Sequence, residues 1–480
     1  SLNLNGTTVT VTEDSSTELT GVSASALTLN SGGAITDSAG ATIAVNGLAT
    51  LSNAGSDVIT LGDDATDVTN FNSLNLNGTT VTVTEDSSTE LSGVSASSLA
   101  LTSAGAITDS GVLDISGAAS FTTTAANGNV ELDQASDVDG ILSVTTNGTG
   151  TTSVTNLTDS LDLGTISTAS LTIGSTGAIT DADDASLTVT NLADFTGTSI
   201  TLGDHSSTDS LIAGSVTFNS AGEVAINENS QITLAGTSTA SSLNLDSTGA
   251  IDQTSGSVTV TGDASFATGE FSIILDQAND FQGAVSLSNS GTNDVLITDQ
   301  TDFDLGTVSV GQNLAVTANG VVTDSGIVTV GGITLIDNSG GDNAAILLDS
   351  ESTYTGNVTF TTDAGSDVTI TDKSDFAIQS ALHVNDLSIT STGVVTDSGS
   401  IVIDGTLDVS ASGQVVTLDG TTNDITGAVS LTGGSVTLND TSATSIGGIS
   451  ASSLTLTSTG AITDTAGATI AVNGLATLSN

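Results

Sequence analysis

The first nineteen residues of the chain, Ser1 to Leu19, recur without change at Ser73 to Leu91, an interval of 72. A chain that copies itself at a fixed interval builds units that bury one another's apolar faces, so a repeat architecture takes precedence over a globular core. A second marker, Gly-Ala-Ile-Thr-Asp or a close variant, begins at Gly33, Gly105, Gly177, Gly249, Gly320, Gly393 and Gly460, which carries the period through the whole length. The closing stretch, Gly460 to Asn480, nearly copies Gly33 to Asn53, and the chain opens on Ser1. A fragment of a longer repeat protein is the expectation.

Each long unit divides into three lines of about 24 residues: 25–46, 47–72 and 73–96. The third line carries Leu74 and Leu76, then Val81 and Val83, then Leu91 and Val94, with Asn, Gly, Ser, Thr and Asp between. Apolar residues two apart, separated by turn formers, are the pattern of short strands. Thr, Val, Ser, Asn and Gly are weak helix formers, so no helix is expected. With no Pro to interrupt a ladder, the reading is all-β: a right-handed parallel β-solenoid of triangular section. It predicts about twenty coils of about 24 residues, three strands to a coil, with residues 1–480 as one continuous rod.

Composition narrows the function. There are 54 acidic residues against one lysine and no arginine, a formal charge of −53, which repels nucleic acid and anionic membranes. No apolar run is long enough to span a bilayer, so direct membrane insertion is not expected. There is no Cys, hence no disulfide and no thiolate site. Hydrophobic residues at 37% and charged residues at 11% describe a chain that folds. Ten Phe, one Tyr and no Trp leave the packing to small and β-branched side chains.

Aligning lines on their second strand puts an acid directly after it twenty times: Glu13, Asp37, Asp63, Glu85, Asp109, Asp133, Asp159, Asp181, Asp204, Glu228, Asp252, Asp276, Asp299, Asp324, Asp349, Asp372, Asp397, Asp419, Asp440 and Asp464. On equal coils these carboxylates would share one edge and collect cations. Six of them have a second acid three or four residues on: Asp63 with Asp67, Asp133 with Asp137, Asp181 with Asp184, Asp276 with Asp280, Asp299 with Asp302, and Asp372 with Asp375. Paired carboxylates near turn carbonyls are hard-cation chemistry, so calcium is the one cofactor expected, at these twelve residues. The competing reading is that each Asp caps its own turn and keeps the rod soluble.

The stretch Ala278 to Gly326 contains NDFQGAVSL, DLGTVSVG, NLAVTANG and VTDSG, and most of the chain follows the same pattern. In this it resembles the repeats of filamentous-haemagglutinin-like exoproteins and autotransporter-type adhesins of Gram-negative bacteria. The resemblance implies a parallel β-helix shaft, an extracellular place on the bacterial cell surface, and a structural part in adhesion, biofilm or cell contact. Partners would be copies of the chain, end to end or side by side, or surface polymers of neighbouring cells. No catalytic residues come with it.

Two other function classes compete with this reading. Parallel β-helices also carry polysaccharide-degrading enzymes, and Asp204, His205 and Asp209 are the best acid pair for one. The lack of Arg and the recurrence of the acids in every coil speak for scaffold residues, so no enzyme is expected. An ice-binding face needs a regular Thr array, and the run Thr8, Thr10, Thr12 is not repeated in successive coils. His205 and His383 read as solvated turn residues, and Lys373 as a surface partner of Asp372 or Asp375.

Overall fold

Strand-forming residues with polar turns between them give strands and nothing else. The computed structural model describes residues 1–53, 57–157, 159–203 and 209–480, and among these no helix occurs. They form two compact units, Ser1–Ala235 and Gly236–Asn480, each a parallel β-solenoid.

In the first unit one ladder runs Thr17, Ile35, Ile59, Val81, Leu99, Ala119, Leu142, each residue hydrogen-bonded in register one coil further on. Another runs Thr89, Ile107, Val130, Thr152, Leu171, Ala193, Val216, Leu234. The second unit repeats the design, for example through Val368, Leu387, Leu407, Val429 and Ile446. Along each strand alternate residues turn inward: Val368 and Ile370 are buried while Thr369 between them is only partly covered. Each inward Leu, Ile or Val packs on apolar neighbours one coil above and below, an arrangement in which full burial of such a side chain stabilises by roughly 1.5–3 kcal/mol. Phenylalanines fill the wider places, and Phe266 meets Phe281 edge to face at 5.7 Å.

The coils are shorter than expected. From Thr17 to Ile35 is 18 residues, from Ile35 to Ile59 is 24 and from Val81 to Leu99 is 18 again, and the two units together make about 23 turns instead of twenty. Inward residues stay in register while corners gain or lose residues, so an alignment at constant spacing overestimates the turn.

A second consequence is rotational. Because the turn is shorter, 72 residues is no longer a whole number of turns. Val9 pairs with Leu27, yet its copy Val81 stands on the ladder of Ile35 and Ile59. Ile35 of the first Gly-Ala-Ile-Thr-Asp marker is on that ladder, Ile107 of the second is on the ladder of Val130, and Ile179 of the third pairs with Ile200. Copies of one residue therefore land on different faces.

Candidate functional site

The predicted edge of stacked carboxylates forms only in short pieces: Asp37 lies near Asp63, Asp109 near Asp133, Asp324 near Asp349 and Asp397 near Asp419 from one coil to the next. Across the coils Asp37 stands opposite Leu19, Glu85 opposite Ser103, Asp109 opposite Leu91, Asp181 opposite Leu163, and Asp324 opposite Leu305. In the second unit Asp372 faces Ser391, Asp397 faces Ile378 and Asp440 faces Ser458. Uneven turns and the rotation of the long repeat break the edge between these pieces.

Fifteen of the twenty acids fall into three classes that alternate along the chain. Members of the first reach forward and accept a main-chain N–H from the following coil. Asp37 Oδ2 accepts from Gly62 at 2.9 Å, Asp109 Oδ1 from Asp133 at 3.0 Å, Asp181 Oδ2 from Gly203 at 2.9 Å, Asp324 Oδ1 from Ser350 at 3.1 Å and Asp397 Oδ2 from Gly420 at 3.3 Å. Gly62 and Gly203 have φ of +71° and +76°, and a Cβ on either would lie 2.3 or 2.1 Å from a carbonyl oxygen, so the donor there has to be glycine. In the repeat that reads Gly-Ala-Ile-Asp-Gln the buried position belongs to Gln253, and Asp252 is one place off.

The second class reaches back. Glu85 Oε1 accepts the N–H of Phe71 at 2.8 Å, Glu228 Oε1 that of Ala213 at 2.8 Å and Asp299 Oδ2 that of Phe281 at 2.7 Å. Asp372 Oδ1 takes Tyr354 and Asp440 Oδ1 takes Ile425, both at 3.2 Å. In one repeat Asn156 fills this place, bonded to the Val138 N–H, and Asp159 is exposed. The third class, Asp63, Asp133, Asp276, Asp349 and Asp419, points to solvent; Asp204 lies outside the described residues.

A forward acid and the next backward acid thus grip the same coil from its two sides. Between them sits a buried polar residue: Ser136 against Asp109, Ser352 against Asp324, and Asn423 donating to Asp397 at 2.7 Å. Where the forward residue is Gln253, its amide and that of Asn279 bond each other at 2.8 and 3.0 Å. Missed by the alignment, this clamp was marked by parity: Val81, Val83 and Glu85, or Ile370 and Asp372, are two apart and share the inward face.

Of the metal-ligand pairs, Asp63 and Asp67 are brought together with Asp37, their oxygens within 4.8 Å, and no other such trio exists among the described residues. Three of these oxygens already accept main-chain N–H groups: Asp37 Oδ2 from Gly62, Asp67 Oδ1 from Ala41 at 3.0 Å and Asp67 Oδ2 from Asp64 at 2.9 Å. Asp181, Asp299 and Asp372 are turned into the core while Asp184, Asp302 and Asp375 are exposed. Asp133 and Asp276 are exposed, Asp137 stands opposite Asp114, and Asp280 accepts from Thr301. Lys373 pairs with Glu351 at 2.7 Å, one coil back, and not with Asp372 or Asp375. His383 Nε2 lies 3.1 Å from Asp404 at the surface. Of the acid pair weighed for catalysis, Asp209 is buried; Asp204 and His205 lie outside the described residues.

Residues 6–75, 78–145, 221–288, 292–363, 365–432 and 433–480 match the profile of a family described as repeats of unknown function (DUF5649). The chain belongs to this family. No curated protein and no solved structure matches it. Five of the six matched stretches of the DUF5649 repeat contain one forward position of the clamp, Asp37, Asp109, Gln253, Asp324 and Asp397 in order, and in the sixth the corresponding Asp464 is exposed.

Burial governs the chemistry of these carboxyls. Desolvation is the largest influence on Glu85, Asp109, Asp299, Asp372 and Asp397 and raises each above the ordinary carboxyl range, with the main-chain donors pulling back. Asp324 is pushed up to about 6 by burial, opposed by the Ser350 N–H. An acid whose folded pKa is raised stabilises the fold below its unfolded pKa and loses that contribution as pH climbs through the folded value. For Asp324 the window runs from about pH 4 to 6. Asp324→Asn, which keeps an acceptor for Ser350, is expected to match the parent at pH 4.5. By pH 7 it should exceed the parent by up to about 2 kcal/mol, read from urea midpoints across that range.

Proposed function

We propose that this chain is a structural segment of an extracellular rod or filament on a bacterial surface, giving length and stiffness to an adhesin or cell-contact fibre. The observation that supports it most is the clamp itself. The polar residues that recur most regularly are buried between coils, where they hold one turn to the next; the outward acids are spread over different faces. Side-by-side contact between copies is disfavoured, since a charge of −53 with a single lysine offers no complementary patch. End-to-end association, or contact with cationic surface polymers, is the mode this composition favours.

Small-angle scattering on the isolated chain tests the reading. About 23 turns at a strand spacing of ~4.8 Å predict a rod on the order of 110 Å long with a constant narrow cross-section. A compact particle of half that length would contradict it.

The convergence of Asp37, Asp63 and Asp67 favours one refinement, a calcium-stiffened rod. If it holds, EDTA lowers the melting temperature followed by far-UV circular dichroism by roughly 10 °C, calcium restores it, and Asp67→Asn abolishes the response. An unchanged melt leaves the three aspartates as turn caps and removes calcium from the proposal.

A further inference from the structure

Two of the backward-reaching acids are glutamates, and they differ at one atom. Glu85 and Glu228 both place Oε1 on a main-chain N–H of the preceding coil, and both take a hydroxyl from the serine two residues on, Ser87 at 2.8 Å and Ser230 at 2.9 Å. At Oε2 they part. Thr89, four residues after Glu85, donates its hydroxyl to that oxygen. Four residues after Glu228 stands Ile232, fully buried and with no proton to give. Glu228 Oε2 has no hydrogen-bond partner although the residue is 0% exposed.

A carboxylate oxygen buried without a donor carries the full desolvation cost of its charge, which a proton on the group removes. The corner it occupies is tied by main-chain and side-chain hydrogen bonds. Asn229 N–H bonds Leu211 O at 3.1 Å, Leu211 N–H bonds Asn229 Oδ1 at 2.9 Å, and the Ala213 N–H closes on Glu228. Of the ionisable groups on the elements around it, Glu223 is exposed at the start of the same strand, Asp246 is exposed on the paired strand Ser242–Ser247, and Asp209 is buried just before the strand Ser210–Ser220. Asp204 and His205 lie outside the described residues. Burial alone pushes the Glu228 carboxyl up to about 7, against the pull of the Ala213 N–H and the Ser230 hydroxyl, with no charged group contributing.

We infer that Glu228 is a proton-operated latch: protonated, it holds the corner where Glu228 and Asn229 meet Leu211 and Ala213, and ionised, it loosens that corner so that this turn opens locally. The latch is closed in mildly acidic surroundings and weakened as the medium turns alkaline. The sense follows from the raised pKa. The stabilisation is fully present below the unfolded value of about 4.5, is lost as pH rises to about 7, and changes no further above it. Between pH 5 and 7.5 the local opening constant should grow on the order of fiftyfold. The inference does not depend on the chain being a surface rod.

Hydrogen exchange of the full chain, read by mass spectrometry on peptic peptides covering residues 209–230 and corrected for intrinsic exchange, tests it against two variants. Glu228→Gln removes the titrating group, and Ile232→Thr supplies the donor that Thr89 supplies to Glu85. Parent and Glu228→Gln should exchange alike at pH 5 and differ tens-fold at pH 7.5, with the parent faster; Ile232→Thr should flatten the parent's pH profile whatever its absolute stability. The peptide around Glu85 should show little such dependence. A ratio of parent to Glu228→Gln that stays constant with pH, or a pH profile that Ile232→Thr leaves unchanged, overturns the latch.

Discussion

A carboxylate in the core accepting a main-chain N–H from the neighbouring coil is the bond on which the rest of this structure turns. Strand ladders satisfy backbone groups along the flat faces, but at the corners the chain bends and the N–H groups of residues such as Phe71, Phe281 and Tyr354 need another acceptor. An Asp or Glu turned inward supplies one. A hydrogen bond to a charged acceptor is worth about 1.5–3 kcal/mol, comparable with what desolvating the acid takes away. The near balance leaves Glu85, Asp109, Asp299, Asp324, Asp372 and Asp397 with raised pKa values. It also accounts for the repeat in which Gln253 and Asn279 do the same work as a neutral amide pair.

The mismatch between the 72-residue repeat and the turn of the solenoid decides where these bonds fall. Were the repeat a whole number of turns, every clamp would stack on the last and the outward acids would line one edge, with repulsion of roughly 0.8 kcal/mol per neighbouring pair in water. Rotation from face to face distributes the clamps around the core and the charge around the surface. A chain carrying −53 is thereby spared the worst of its own field, and its outer acids resist lateral aggregation of a β-rich body.

Much of the fold was legible in the sequence. Period-two apolar runs such as Val81 and Val83, turn residues between them and the exact copy of Ser1–Leu19 gave strands, parallel stacking and the long period. Coil length was not legible by averaging, because the steps along one ladder vary irregularly between 18 and 24 residues while the inward residues stay in register. The site was misread for the opposite reason. Charge ordinarily marks solvent, whereas Glu85 continues the parity of Val81 and Val83, and Asp372 that of Ile370, and both belong to the core. The serine or threonine two residues after Glu85, Glu228, Asp299, Asp372 and Asp440 was the local signal that these acids are held by hydroxyls. Asp252 shows the limit of a motif: the buried position had moved to Gln253.

A solenoid that turns its recurring polar residues inward leaves an acidic exterior. The claim beneath this is that half of the acids that look alike in sequence are inside. Carbodiimide-driven amidation of the native chain, mapped by mass spectrometry, measures it directly. The account predicts that Glu85, Asp299, Asp324, Asp372, Asp397 and Asp440 stay unmodified while Asp63, Asp133, Asp276, Asp349 and Asp419 react readily. Equal reaction at both sets would place all of them on the surface and contradict the clamp.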